Sequence, residues 1–162
     1  MKKLFIIRHA KSSWADPTLK DFDRPLNDRG KKDAPFMSKF IADKYLAPSL
    51  IISSPAVRAL KTAQHFAKAF DIKKEDIQKE KSLYHAYPEE VYDVIHMIDS
   101  DVDQAFIFGH NPTFTSIANH FTDEYIDNVP TCGIVYLECK VCLLYTSPSP
   151  RDATLSRMPS SA

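Results

Sequence analysis

The sequence predicts an α/β fold with a largely parallel sheet, and three observations lead there. Short continuous apolar runs rich in β-formers recur at Leu4–Ile7 (LFII), Leu50–Ile52 (LII), Ala105–Phe108 (AFIF) and Ile134–Leu137 (IVYL). Runs without polar alternation suit strands covered on both faces, as parallel sheets are. Stretches with helical spacing alternate with them, the order of a βα-type chain. The junctions carry Ser-Pro and Asn-Pro, residues that open helices.

Taken in order, Leu4–Ile7 is a first strand that stops at Arg8. Residues 11–29 are polar and broken by Pro17 and Pro25. Gly30 to Tyr45 then places Ala34, Met37, Phe40 and Ile41 on one helical face, with Pro35 in its first turns. Leu50–Ile52 is the second strand, followed by SSPAVRALKTAQHFAKAF, where Ser54 is expected as N-cap and Pro55 as the first helical residue. Val91, Val94, Ile95 and Ile98 mark a helix opened by Pro88, Glu89 and Glu90, acidic where the helix dipole favours it. Ala105–Phe108 is the third strand, and in GHNPTFTSIANHF Asn111 is expected to cap and Pro112 to start a helix. Ile134–Leu137 is the fourth strand.

A length of 162 residues fits one domain. Equal counts of 21 basic and 21 acidic residues, with no basic stripe, give no net field to draw in nucleic acid or an anionic membrane. Cys132, Cys139 and Cys142 crowd the C-terminal end, and the lone Cys139–Cys142 CxxC pair has no second pair to complete it, so neither a disulfide framework nor a zinc knuckle is indicated. The start MKKLFIIRHA has too short an apolar core for a signal peptide, and no segment approaches the ~18 apolar residues that span a bilayer. The expectation is a cytoplasmic monomer.

Beyond about Val141 the composition shifts to Ser, Pro and Arg and periodicity is lost, so 142–162 is expected to be disordered. Cys142–Asp152 resembles the translation of a transposase-end sequencing adapter, and Ser156–Ala162 that of the flow-cell primer that follows an index. The segment is therefore set aside as a non-native tail. The domain is taken as 1–141, with a native C-terminus expected to continue where the tail begins.

In open α/β sheets, ligands lie beyond the carboxyl ends of the strands, where helix N-termini present free N–H groups. Three such ends carry candidates: Arg8 and His9 after the first strand, Arg58 in the helix after the second, and His110 after the third. Arg24, in DFDRPLNDRG, can reach the same rim, with Asp21 and Asp23 beside it as ordinary salt-bridge partners. Arginine forks match phosphate oxygens, and an imidazole held at one nitrogen can attack phosphorus with the other. The constellation is a phosphate site in outline. Without a GxxxxGK[ST] loop, and with three glycines in all, the chain has no glycine-rich nucleotide cradle.

These motifs, RHA at 8–10, RPLNDRG at 24–30, SSPAVRALKTA at 53–63 and GHNP at 109–112, resemble in order and spacing those of the histidine phosphatase superfamily, in particular its SixA-like phosphohistidine phosphatases. The resemblance spans roughly residues 3–137. It implies a three-layer α/β/α sandwich of the phosphoglycerate mutase-like type, His9 as nucleophile, Arg8, Arg58 and His110 around the phosphoryl group, and Arg24 as a further lining residue. Asn111 and Ser12 join the candidate phosphate-binding residues. Many relatives carry a Glu after the leucine matching Leu83 as leaving-group acid; here His85 falls there, so His85, Glu89 or water would supply a proton.

The expected reaction is metal-independent hydrolysis of phosphohistidine, needing no cofactor, because phosphoryl transfer asks mainly for positioning and charge stabilisation. The partner is then a phosphohistidine-bearing protein. Alternatives are a small-molecule phosphomonoester phosphatase, with a small phosphorylated substrate, and a phosphate-binding module without turnover. A metal site on His9, His85 and His110 lacks the carboxylate or thiolate that would complete it.

Overall fold

A computed structural model describes residues 2–122, 124–139 and 153–157. Its strands are β1 (Lys2–Arg8), β2 (Leu50–Ser53), β3 (Gln78–Lys79), β4 (Gln104–Gly109), β5 (Ile134–Cys139) and β6 (Ala153–Arg157). The main helices are α1 (Asp28–Ala42), α2 (Val57–Ala69), α3 (Pro88–His96) and α4 (Thr113–His120). One sheet holds the strands in the order β3-β2-β4-β1-β5-β6. β3, β2, β4 and β1 pair in parallel, whereas β5 runs antiparallel to both β1 and β6.

The alternation of side chains along each strand divides the interior in two. Phe5, Ile7, Ile51, Phe106 and Phe108 face Ala34, Met37 and Ile41 of α1 and Ala63, Phe66 and Ala67 of α2. Their neighbours Ile6, Ile52, Ala105 and Ile107 face Val91 and Val94 of α3 and Phe114, Ile117 and Ala118 of α4. Helices therefore cover both faces, which is the three-layer sandwich. Phe5, Phe66, Phe106, Phe108 and Phe114 are fully buried, each worth about 2–3 kcal/mol over exposure.

The strands stand where the apolar runs place them, with two additions. β3 is two exposed residues with no apolar signature, held by parallel pairing of Ile52 with Gln78 and Ser53 with Lys79. β6 lies within the stretch expected to be disordered, and its pairing with Val135–Cys139 of β5 corrects that expectation for 153–157. An edge strand offers unpaired main-chain groups that any extended segment can satisfy, whatever its side chains. The rest of the expected tail, including Cys142, lies outside the described residues.

α1 starts at Asp28 rather than 30 because Asn27 caps it, its Oδ1 accepting from the Gly30 amide at 2.9 Å, and it ends at Ala42 rather than 45. Two capping expectations fail. α2 begins at Val57 with Ala56 at the cap position, and α4 begins at Thr113 after Pro112. Ser54 and Asn111, the expected caps, are used by the site instead.

Candidate active site

β1 and β4 are parallel neighbours paired from Lys3–Gln104 to Arg8–Gly109, so their carboxyl ends deliver Arg8, His9 and His110 side by side. The rings of His9 and His110 lie 5.0 Å apart, centroid to centroid. Arg58, in the first turn of α2, brings its Nε to 3.2 Å from His9 Nε2. Four residues read from three strand ends thus meet at one place, all of them largely buried except for partly exposed Arg8.

His9 Nδ1 stands 2.8 Å from the Ala10 carbonyl, which can only accept, so Nδ1 carries the proton and Nε2 keeps its lone pair. Burial, reinforced by the charges of Arg58, Arg8 and Arg24, outweighs that hydrogen bond and lowers the His9 pKa to about 4. The imidazole is neutral at physiological pH, the state a nucleophile needs. The residue that supplies this carbonyl is itself held through its amide. The Ala10 amide donates to Thr62 Oγ1 at 3.0 Å, and Thr62 in turn donates to the Arg58 carbonyl at 2.7 Å. His9 and Arg58 are therefore tied through one buried threonine.

His110 Nε2 lies 2.8 Å from Ser54 Oγ, while its Nδ1 is buried with no partner. Burial, with the nearby charge of His9 and Arg58, pushes its pKa down to about 2. When the Ser54 hydroxyl donates to Nε2, the proton of the neutral ring sits on Nδ1, which is then a free donor. Arg8 donates from Nη1 to the Val129 carbonyl at 2.6 Å and to Asn128 Oδ1 at 3.1 Å, and its Nε is likewise buried and unpartnered. Two unpartnered buried nitrogens in one site, the Arg8 Nε–H and His110 Nδ1 in its protonated tautomer, suit a ligand rich in anionic oxygen.

The remaining candidates are placed differently. Asn111 donates to the same Asn128 Oδ1 and Val129 carbonyl as Arg8, at 2.7 and 3.1 Å, so it belongs to the scaffold of that arginine. Arg24 is buried and committed: Nε donates to the Ser13 carbonyl, Nη2 to Ser12 Oγ at 2.7 Å and Nη1 to Asp21 Oδ1 at 2.9 Å. Trp14 covers its guanidinium at 3.2 Å. Ser12 is thus a partner of Arg24, bridged to Leu26. His85 is exposed, with its ring on Tyr84 at 4.1 Å and its Nε2 3.9 Å from Asp21 Oδ2.

Asp21 is the residue that sequence reasoning undervalued. Besides Arg24 it receives Arg58 Nη2 on Oδ2 at 2.9 Å, Arg58 Nη1 on its carbonyl at 2.6 Å and the Tyr84 hydroxyl at 3.0 Å. Burial works against its ionisation, but the hydrogen bonds from Arg58, Tyr84 and Arg24 win and hold the carboxyl at about 2. Its spacing to Arg24 is legible as an i,i+3 pair; its contact with Arg58 spans 37 residues and is not. Among the described residues, no group of three or more His, Cys, Asp and Glu is arranged to hold a metal ion. No helix there is long and apolar enough to cross a membrane.

Comparison with known proteins places this geometry. The model of the histidine phosphatase superfamily (branch 1) matches residues 4–86. Over 70 residues the chain is 37% identical to an uncharacterized chloroplastic protein of Arabidopsis thaliana, covering 43% of this chain and 32% of that one, about a third of the plant protein's length. Over 112 residues it is 30% identical to an uncharacterized protein of Mycobacterium tuberculosis, covering 69% and 67% of the two chains. In structure it is similar to a candidate phosphohistidine phosphatase, SixA, of Agrobacterium tumefaciens. The TM-score is 0.80 at 29% identity, over 95% of this chain and 94% of that one.

Proposed function

The chain belongs to the histidine phosphatase superfamily, branch 1, and from that premise we propose that it hydrolyses phosphohistidine on a protein through a covalent phosphohistidine intermediate on His9, without a metal ion. The observation that carries the reading is the His9 ring, fixed by the Ala10 carbonyl at Nδ1 with Nε2 beside Arg58. Nε2 attacks phosphorus in line with the departing nitrogen. Arg58, the free Arg8 Nε and His110 Nδ1 hold the equatorial oxygens, whose charge is spread in the transition state. Water then attacks the His9-bound phosphorus, phosphate leaves, and Nε2 recovers its lone pair.

A protein substrate is favoured by the surface beside the site. Trp14 stands 75% exposed on top of Arg24, and Tyr87 is 73% exposed, the kind of aromatic anchors protein interfaces use. The name of the Agrobacterium protein points to the same substrate.

The test is phosphate release from a chemically phosphorylated histidine peptide in excess EDTA, comparing the parent with a His9→Ala variant shown by circular dichroism to be folded. Release by the parent alone is expected. A folded parent that releases none overturns the hydrolase reading in favour of a phosphate-binding module, and activity that EDTA abolishes overturns metal independence.

A further inference from the structure

We propose that Asp21 and Tyr84 form a seat for the leaving imidazole of phosphohistidine, filled in the free protein by the chain's own His85. The proposal rests on the phosphohistidine reading above and gives that site a second half. Its starting point is that an imidazole already stands there: the His85 ring packs on Tyr84 with centroids 4.1 Å apart, and its Nε2 points at Asp21 Oδ2 from 3.9 Å. At that distance no hydrogen bond is made, and the side chain is 71% exposed, so it is held loosely and can be displaced. His85 adopts a left-handed backbone conformation, φ 56°, which L-residues avoid unless the surroundings impose it.

The seat adjoins the reacting groups. Tyr84 also packs edge-on to His110, centroids 5.7 Å apart, so one phenol ring touches both the catalytic imidazole and the displaceable one. Asp21 shares the Arg58 guanidinium with His9: Nε of Arg58 serves His9 Nε2 while Nη2 serves Asp21 Oδ2. A carboxylate thus lies on the same arginine as the nucleophile, at the mouth of the site.

The chemistry explains why a carboxylate there favours a phosphorylated imidazole. Phosphohistidine can carry a proton on the ring nitrogen that bears no phosphorus. An adjacent carboxylate accepts a hydrogen bond from that N–H and stabilises the cationic ring. When His9 Nε2 bonds to phosphorus, the substrate P–N bond breaks and its electron pair stays on the ring, which departs as neutral imidazole with the proton it already holds. No proton crosses from the enzyme. A phosphate ester gains nothing from this arrangement: its leaving oxygen carries no N–H for the carboxylate to hold, an alkoxide needs a proton that a carboxyl group held at about 2 does not have near neutral pH, and an activated aryl oxide such as p-nitrophenolate leaves without one.

The test compares kcat/KM for a phosphohistidine peptide and for p-nitrophenyl phosphate in the parent, Asp21→Asn and His85→Ala, each shown to be folded. Asparagine keeps an oxygen for Arg58 and removes the charge. The ratio of phosphohistidine to ester activity is expected to fall about five- to tenfold in Asp21→Asn, the size of a partly exposed charge-assisted contact. His85→Ala, which empties the seat, is expected to raise phosphohistidine turnover about twofold or more. Equal loss on both substrates in Asp21→Asn, or no gain in His85→Ala, overturns the seat while leaving the phosphatase reading intact. A parent that acts on the ester and not on phosphohistidine overturns the reading beneath it instead.

Discussion

Ser54 Oγ lies 2.8 Å from His110 Nε2, and both residues are buried at adjoining ends of parallel strands β2 and β4. When the hydroxyl donates to Nε2, the His110 proton sits on Nδ1, which can then donate to a phosphoryl oxygen. Ser54→Ala is expected to lower kcat about tenfold, roughly 1.4 kcal/mol of transition-state stabilisation, with KM little changed. Equal kinetics in parent and variant would show that the ring orients itself.

Acid is expected to destabilise the fold through its two buried imidazoles. Burial first, then neighbouring positive charge, lowers His9 to about 4 and His110 to about 2 from an ordinary 6.5. Below pH 6.5 the unfolded chain binds protons that the folded one refuses. The stability that these neutral rings contribute is complete above 6.5 and is lost as pH falls, toward 4 for His9 and toward 2 for His110. Between pH 7 and 5 each ring should account for about 1–2 kcal/mol. Urea unfolding at both pH values tests it, since His9→Asn and His110→Asn variants should lose less stability than the parent over that interval.

Thr62→Val keeps shape and removes the hydroxyl that accepts the Ala10 amide at 3.0 Å. A buried N–H left without a partner costs about 1–3 kcal/mol. The carbonyl of the same residue orients His9, so turnover should fall along with the denaturation midpoint. A variant as stable as the parent would mean that the Ala10 amide finds another acceptor.

Gly30→Ala tests how closely α1 approaches the loop that follows His9. A Cβ built at residue 30 would lie 2.2 Å from the Lys11 carbonyl oxygen and 3.0 Å from its nitrogen. These are backbone atoms, so the helix or the loop must move. The expected cost is about 1–3 kcal/mol, with a larger proportional loss of activity than of folded protein. Full activity with lowered stability would show that the strain is absorbed by α1 rather than by residues 9–11.

Much of this was legible in the chain. LFII, AFIF and IVYL announce strands because sites buried on both faces admit no polar alternation, and Arg8, His9, Arg58 and His110 could be grouped because a parallel sheet gathers its carboxyl ends. What escaped is whatever depends on contacts distant in sequence. Ser54-Pro55 and Asn111-Pro112 look like helix starts, and locally nothing contradicts that. Ser54 instead turns to His110, 56 residues away, and Asn111 to Asn128, 17 away. Asp21 was visible as a partner of Arg24 but not of Arg58 or Tyr84, and Gln78–Lys79 carries no apolar pattern to mark a strand.

The central position of β1 has a bearing on how the protein would fail. Paired on one side with β4 and on the other with β5, with Phe5, Ile6 and Ile7 wholly buried, it has no local route to opening. Its amides should exchange with solvent only through global unfolding. Arg8 and His9 are anchored at the end of this strand, so their geometry persists until the whole domain comes apart. Loss of catalysis and loss of structure on heating should therefore trace a single curve.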